Sequence, residues 1–149
     1  MRILIQRVSS ANVAVANSTT GAIDHGLLIL VGVTHADTEA VEDRMVEKVV
    51  KLRIFGDENG LMNLSVIDVG GDILAVSQFT LYANAKGGNR PSYTDAARPE
   101  QASPAFDRFV VKLAARLGKP VPTGVFGADM KVALVNDGPV TIWLDSDSL

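Results

Sequence analysis

Seven consecutive residues, Leu27-Leu-Ile-Leu-Val-Gly-Val33, offer no polar side chain to water. Following the turn-like Asp24-His25-Gly26, so short and unbroken an apolar run reads as a strand buried on both faces. The chain must therefore cover two sides of a sheet. With 149 residues and 47% hydrophobic content it is expected to form one domain, 1–149, that buries about 68–70% of its unfolded surface.

Part of that cover is helical. Val41, Met45, Val49 and Leu52 recur at spacings of four, four and three, which sets them on one helical face. Glu39, Glu42 and Asp43 come before Lys48, Lys51 and Arg53, the order that the helix dipole favours, so residues 38–52 are predicted to be a helix. Phe106, Val110, Leu113 and Leu117 predict a second helix that stops at Gly118. Its start stays open, because Pro99 and Pro104 would each be tolerated in a first turn. Elsewhere the pattern is of short strands. Residues 2–8 and 12–16 read as two strands, with a turn at 17–21. Residues 54–55 and 61–64 flank the turn-rich Gly56-Asp-Glu-Asn-Gly60 as a hairpin. Residues 130–135 and 140–144 alternate as strands around the turn-like Asn136-Asp-Gly-Pro139.

One stretch behaves oddly for a core strand. After Gly70-Gly71 an apolar strand begins at Asp72, then gains three polar side chains in Val76-Ser-Gln-Phe-Thr-Leu-Tyr-Ala83. Strand alternation would put Ser77, Phe79 and Leu81 on one face and Val76, Gln78, Thr80 and Tyr82 on the other. Buried hydroxyl and amide groups need partners, so this strand end either opens into a polar pocket or wires its polar groups internally. Residues 84–93, rich in Gly and Pro and carrying Lys86 and Arg90, then read as a basic loop beside it.

Charge and composition restrict the function. A net charge of −3 supplies no general attraction to nucleic acid, so no DNA partner is expected and any RNA contact must be local. The absence of cysteine excludes disulfides, thiolate metal sites and a cysteine nucleophile, and fits a reducing compartment. The apolar run at the start is too short for a signal peptide and nothing later spans a bilayer, so a soluble, cytoplasmic protein without a membrane partner is expected. Ser77 or Thr80 as a hydrolase nucleophile would need a nearby base, and neither His25 nor His35 has the context of a triad. No metal-ligand spacing and no phosphate-cradling loop is present, so no metal or other cofactor is expected. Gly138-Pro139 is either a plain turn or, with a cis bond, a device that fixes the direction of a backbone carbonyl.

Two motifs, Ser77-Gln-Phe-Thr-Leu-Tyr-Ala83 and Asn136-Asp-Gly-Pro-Val-Thr141, resemble those of the D-aminoacyl-tRNA deacylases. The likeness extends to Met1-Arg-Ile-Leu-Ile-Gln-Arg-Val-Ser-Ser10, Leu52-Arg-Ile-Phe55, Met62-Asn-Leu64, Asn89-Arg-Pro-Ser92 and Thr123-Gly-Val-Phe-Gly-Ala-Asp-Met130. The resemblance implies an α+β fold: a compact, barrel-like, mainly antiparallel β-sheet with two main helices packed outside. It also implies a homodimer with active sites at the interface. The implied reaction is hydrolysis of the ester that joins a D-amino acid, or glycine mischarged on tRNA, to the terminal adenosine, with L-aminoacyl-tRNA rejected. By the same resemblance, Ser77, Gln78, Phe79 and Thr80 line the ester, and the N–H groups of Phe79 and Thr80 hold the oxyanion. Gly138 and Pro139, joined by a cis bond, reach into the other subunit's pocket and exclude L side chains. Thr80 is then either the nucleophile or a bystander to water assisted by the ribose 2′-OH, and the lack of a convincing base favours the second. Phe126 is either a stacking surface for the terminal adenine or a core residue. Lys86 and Arg90 are candidates for acceptor-stem phosphates.

Overall fold

The computed structural model describes Met1–Leu149. The sheet is assembled on its first strand, β1 (Arg2–Val15), which is long enough to serve three neighbours. On one edge it pairs with β2 (Ser18–Ile23) through residues 11–15 and with β3 (Gly26–Gly32) through residues 2–8, both antiparallel. The hairpin of β4 (Phe55–Gly56) and β5 (Met62–Leu64) stands apart. β6 (Asp72–Ser77) runs parallel to β3, and β7 (Lys131–Asp145) is antiparallel to β1 along its other edge. These five strands curl into a half-barrel, mostly antiparallel, with two helices packed against it.

The apolar run in β3 is explained by what lies on each side. Leu27, Ile29 and Val31 belong to the larger core with Met45 and Val49 of α1 (Glu39–Lys51) and Phe106, Phe109 and Leu113 of α2 (Pro99–Leu117). Leu28 belongs to a second cluster with Val8, Val13, Leu74 and Val76 on the opposite face. Both faces are covered, so alternation is lost. Thr38 caps α1 by accepting a hydrogen bond from the Val41 N–H at 3.4 Å. Pro99 is the first residue of α2, Pro104 lies inside the helix, and Gly118 closes it in the left-handed region with φ 80°. The helices are tied at Glu42, which is buried and paired with Arg108 at 2.7 Å and Lys112 at 3.0 Å.

Three local readings are corrected. Residues 2–8 and 12–16 are not two strands but parts of β1, and the reversal expected over 17–21 is a tight turn at Ala16 and Asn17, with φ of 49° and 65°. Ser18, Thr19 and Thr20 are polar because this end of β2 is exposed on both faces, not because the chain turns there. Asn136-Asp-Gly-Pro139 does not reverse the chain either. Asn136 pairs with Val8 and Thr141 with Gln6, so residues 137–140 stand opposite Arg7 alone and bulge out of a continuing strand. Finally, β6 ends at Ser77 and the chain tightens into a 3-10 turn, Phe79–Tyr82, so the face alternation expected through residue 82 fails beyond Ser77.

Candidate active site

Because β3 and β6 are parallel, their carboxyl ends emerge together. The Gln78 N–H donates to the Val31 carbonyl at 2.8 Å, which extends the ladder one residue beyond β6 before the 3-10 turn begins. Gly32 makes room for this crossing, since a Cβ there would lie 3.0 Å from the Gln78 carbonyl oxygen. Beside this junction a cleft of about 850 Å³ opens. Ser77, Gln78 and Phe79 form one wall, the start of α2 with Pro99, Ala102 and Phe106 another, and Phe126 to Met130 with Val132 a third. The polar strand end therefore borders a cavity.

The side chains of this wall have distinct settings. Phe79 is 53% exposed and meets Tyr93 edge to face at 5.1 Å. Tyr93 is brought there by reciprocal backbone bonds between Asn84 and Ser92, both 2.8 Å, which close the intervening loop. Lys86 and Arg90 lie exposed on that loop and outside the cleft walls. Thr80 is also outside the walls, and its hydroxyl accepts a hydrogen bond from the Gln78 side-chain amide. Being the first residues of a 3-10 turn, Phe79 and Thr80 have N–H groups with no partner inside it. Tyr82, at the end of the turn, is buried. Burial first, then the charges of Asp37 and Asp145, pushes its phenol up, so it stays protonated and is no base at neutral pH. Phe126 is half-buried, packed on the large core on one side and lining the cleft on the other.

Gly138 and Pro139 are elsewhere on the chain surface. They sit exposed on the β7 bulge, joined by a cis bond, and Gly138 borders a smaller cavity of about 490 Å³ with Arg7, His25, Phe55 and Met62. Arg7 braces the bulge: its Nη1 donates to the Ile54 carbonyl at 2.7 Å and its Nε to the Asp137 carbonyl at 3.2 Å. Only glycine fits at 138, where φ is 119° and a Cβ would come within 2.7 Å of Arg7 Nη2 and 3.0 Å of the Val140 nitrogen.

A sequence model of D-Tyr-tRNA(Tyr) deacylases matches residues 4–145. The chain belongs to this deacylase family. It is 62% identical over 146 residues to the D-aminoacyl-tRNA deacylase of Chromobacterium violaceum, covering 98% of this chain and 97% of the relative. Identity to the D-aminoacyl-tRNA deacylase of Dechloromonas aromatica is 59%, with the same coverage. A solved structure of the c-Myc DNA Unwinding Element Binding Protein matches with a TM-score of 0.91 at 39% identity, covering 97% of this chain and 98% of that one.

The two deacylase motifs are thus not joined within one chain. Ser77, Gln78, Phe79 and Phe126 share the cleft, Thr80 adjoins it, and Gly138 and Pro139 are absent from its walls. Sequence reasoning missed Tyr93, Thr94, Arg98 and Asp129, and set His35 aside, yet all five line the cleft. His35 Nε2 donates to the Thr94 carbonyl at 2.9 Å, so that nitrogen is committed to holding the loop. Pairing of Thr34 with Ala96, and the Ala97 N–H bond to the Val33 carbonyl at 2.9 Å, fold residues 94–97 over the cleft. Nothing local in the sequence announces that long-range pairing.

Proposed function

We propose that this chain hydrolyses the ester between a D-amino acid, or glycine mischarged on tRNA, and the terminal adenosine of tRNA, and leaves L-aminoacyl-tRNA intact. The observation that carries this reading is the cleft at the carboxyl ends of β3 and β6, where the first motif supplies a polar wall to an otherwise largely apolar space. Its volume of about 850 Å³ is within the range of ligand sites. Phe126 and the neighbouring apolar side chains suit the adenine, which every tRNA presents alike. Such a substrate assigns the enzyme to the cytoplasm.

A homodimer completes the site. β7 pairs with β1 alone, and its outer edge is open along a strand of 15 residues that exposes Val135 and Trp143. An edge of this length invites pairing with another chain, and a second copy supplies one. In the dimer, the Gly138-Pro139 bulge of one subunit enters the cleft of the other. Backbone groups there engage the substrate amino group and clash with an L side chain, whereas glycine has none to exclude.

For the chemistry, the N–H groups of Phe79 and Thr80 bind the oxyanion that forms as water adds to the ester carbonyl, and the ribose oxygen leaves with a proton. The 2′-OH of the RNA assists that water. Thr80 is the lesser candidate for nucleophile, because its hydroxyl accepts from Gln78 and lies outside the cleft walls. The deciding assay incubates the protein with D-Tyr-tRNA, L-Tyr-tRNA and a simple D-tyrosine ester. Rapid release from the first alone is expected; equal release from the simple ester would contradict the RNA-assisted route. Thr80→Val should retain activity within about tenfold, and loss of nearly all activity would make Thr80 the nucleophile.

A further inference from the structure

We infer that the side chains of Gln6, Asn136 and Thr141 form a clamp that fixes the shape of the 137–140 bulge, and that they are positioning residues for enantiomer selection. The inference rests on the reading that this bulge is the selecting element. Its physical problem is that four residues face a single partner, Arg7, so the regular ladder cannot hold their backbone. A selector made of backbone atoms discriminates only if that backbone is fixed, since a bulge free to move would yield to an L side chain.

The clamp meets this need from the base of the bulge. Asn136 Nδ2 donates to the carbonyl of Arg7 on the facing strand and to that of Val140 at the far end, both at 3.0 Å. One amide thereby ties entry to exit. Its Oδ1 accepts from Gln6 Nε2 at 3.1 Å and lies 3.3 Å from Thr141 Oγ1, so both halves of the amide are engaged. Thr141 Oγ1 is also 3.2 Å from the Pro139 carbonyl, which links the clamp to the residue that reads the substrate. Gln6 Nε2 reaches the same hydroxyl at 3.4 Å and closes the triangle. None of the three lines the cleft or the smaller cavity, so within the chain they act through the bulge. Asparagine is required at 136 because two carbonyls need donors there. An aspartate would turn an acceptor toward both.

The test compares Asn136→Asp, Thr141→Val, Thr141→Ser and Gly138→Ala with the parent enzyme, by kcat/KM on D-Tyr-tRNA and L-Tyr-tRNA and by thermal unfolding. Asn136→Asp and Thr141→Val should raise KM for D-Tyr-tRNA, whose amino group the bulge engages, and lower the D-to-L ratio of kcat/KM by about tenfold or more. Thr141→Ser, which keeps the hydroxyl, should restore the parent ratio. If Gly138→Ala lowers the ratio but Asn136→Asp and Thr141→Val do not, the clamp is overturned and the bulge remains the selector. If Gly138→Ala also leaves the ratio unchanged, the bulge does not select and the clamp falls with it. Should Asn136→Asp fail to fold, the Thr141 pair decides alone. An equal loss on both substrates would mark the network as merely structural and overturn the inference.

Discussion

The chain departs from regular strand pairing at its two family motifs, and it does so in opposite ways. At residues 77–82 the strand stops, tightens into a 3-10 turn, buries Tyr82 and becomes one wall of a cleft. At residues 137–140 the strand continues, and its surplus backbone is pushed outward while Asn136 and Thr141 stay paired with β1. The first departure encloses a space within the chain. The second presents backbone to whatever lies outside it. In the proposed dimer the enclosed wall holds the reacting ester, and the projecting bulge serves another copy. On the proposed reading, this contrast is why the two family motifs need two subunits to meet.

The largest expected effect tests whether the enclosed region works through backbone or side chain. Phe79→Pro removes one proposed oxyanion donor at a position where a turn tolerates proline. Gln78, with φ −146° and ψ 82°, is already out of the helical region that a following proline disfavours. The variant should lose about 10²–10³ in kcat, while Phe79→Ala, which keeps the N–H, should lose less than about tenfold. Equal losses would shift the role to the ring. A middle effect is expected at Phe126. Loss of one base stack is worth about 1–3 kcal/mol, so Phe126→Ala should raise KM by about fivefold or more. Its melting temperature should fall as well, because the ring also packs on the core. Phe126→Leu should recover much of the stability and little of the KM, which separates the two sides of the ring. The smallest effect is at the loop outside the walls. Lys86→Ala with Arg90→Ala should raise KM modestly and reduce the salt slope of log KM by roughly 0.7–0.9 per charge removed, with the D-to-L ratio unchanged. A changed ratio would draw the loop into selection.

The same contrast explains what was legible in the sequence. The helices were readable because Met45 and Val49, or Phe106 and Leu113, obey a local period and end at a cap or a glycine. The covered strand was readable because Leu27 to Val31 is apolar at every position. Ser77 and Gln78 stood out as polar residues at the end of an apolar strand, Phe79 and Phe126 were named through the family resemblance, and the cleft gathers all four. The 137–140 bulge was misread, since Asp-Gly-Pro carries the same local chemistry whether a chain reverses or loops out. What decides between them is β1, more than 120 residues away, which holds both Asn136 and Thr141 in one direction. Thr94 and Arg98 escaped for a related reason: the segment 94–97 that leads to them is held by pairing with Val33 and Thr34, which no local pattern encodes.

The central claim, that one subunit's bulge selects for the other subunit's cleft, is tested most directly by subunit mixing. Phe79→Pro chains carry an intact bulge and a disabled cleft, and Gly138→Ala chains the reverse. In mixed dimers the one working cleft faces the one intact bulge. Adding refolded Phe79→Pro chains in excess to Gly138→Ala chains should therefore raise the D-to-L ratio of kcat/KM back toward the parent value. A ratio that stays at the Gly138→Ala value, in a sample where mass measurement finds mixed dimers, would contradict selection across the interface.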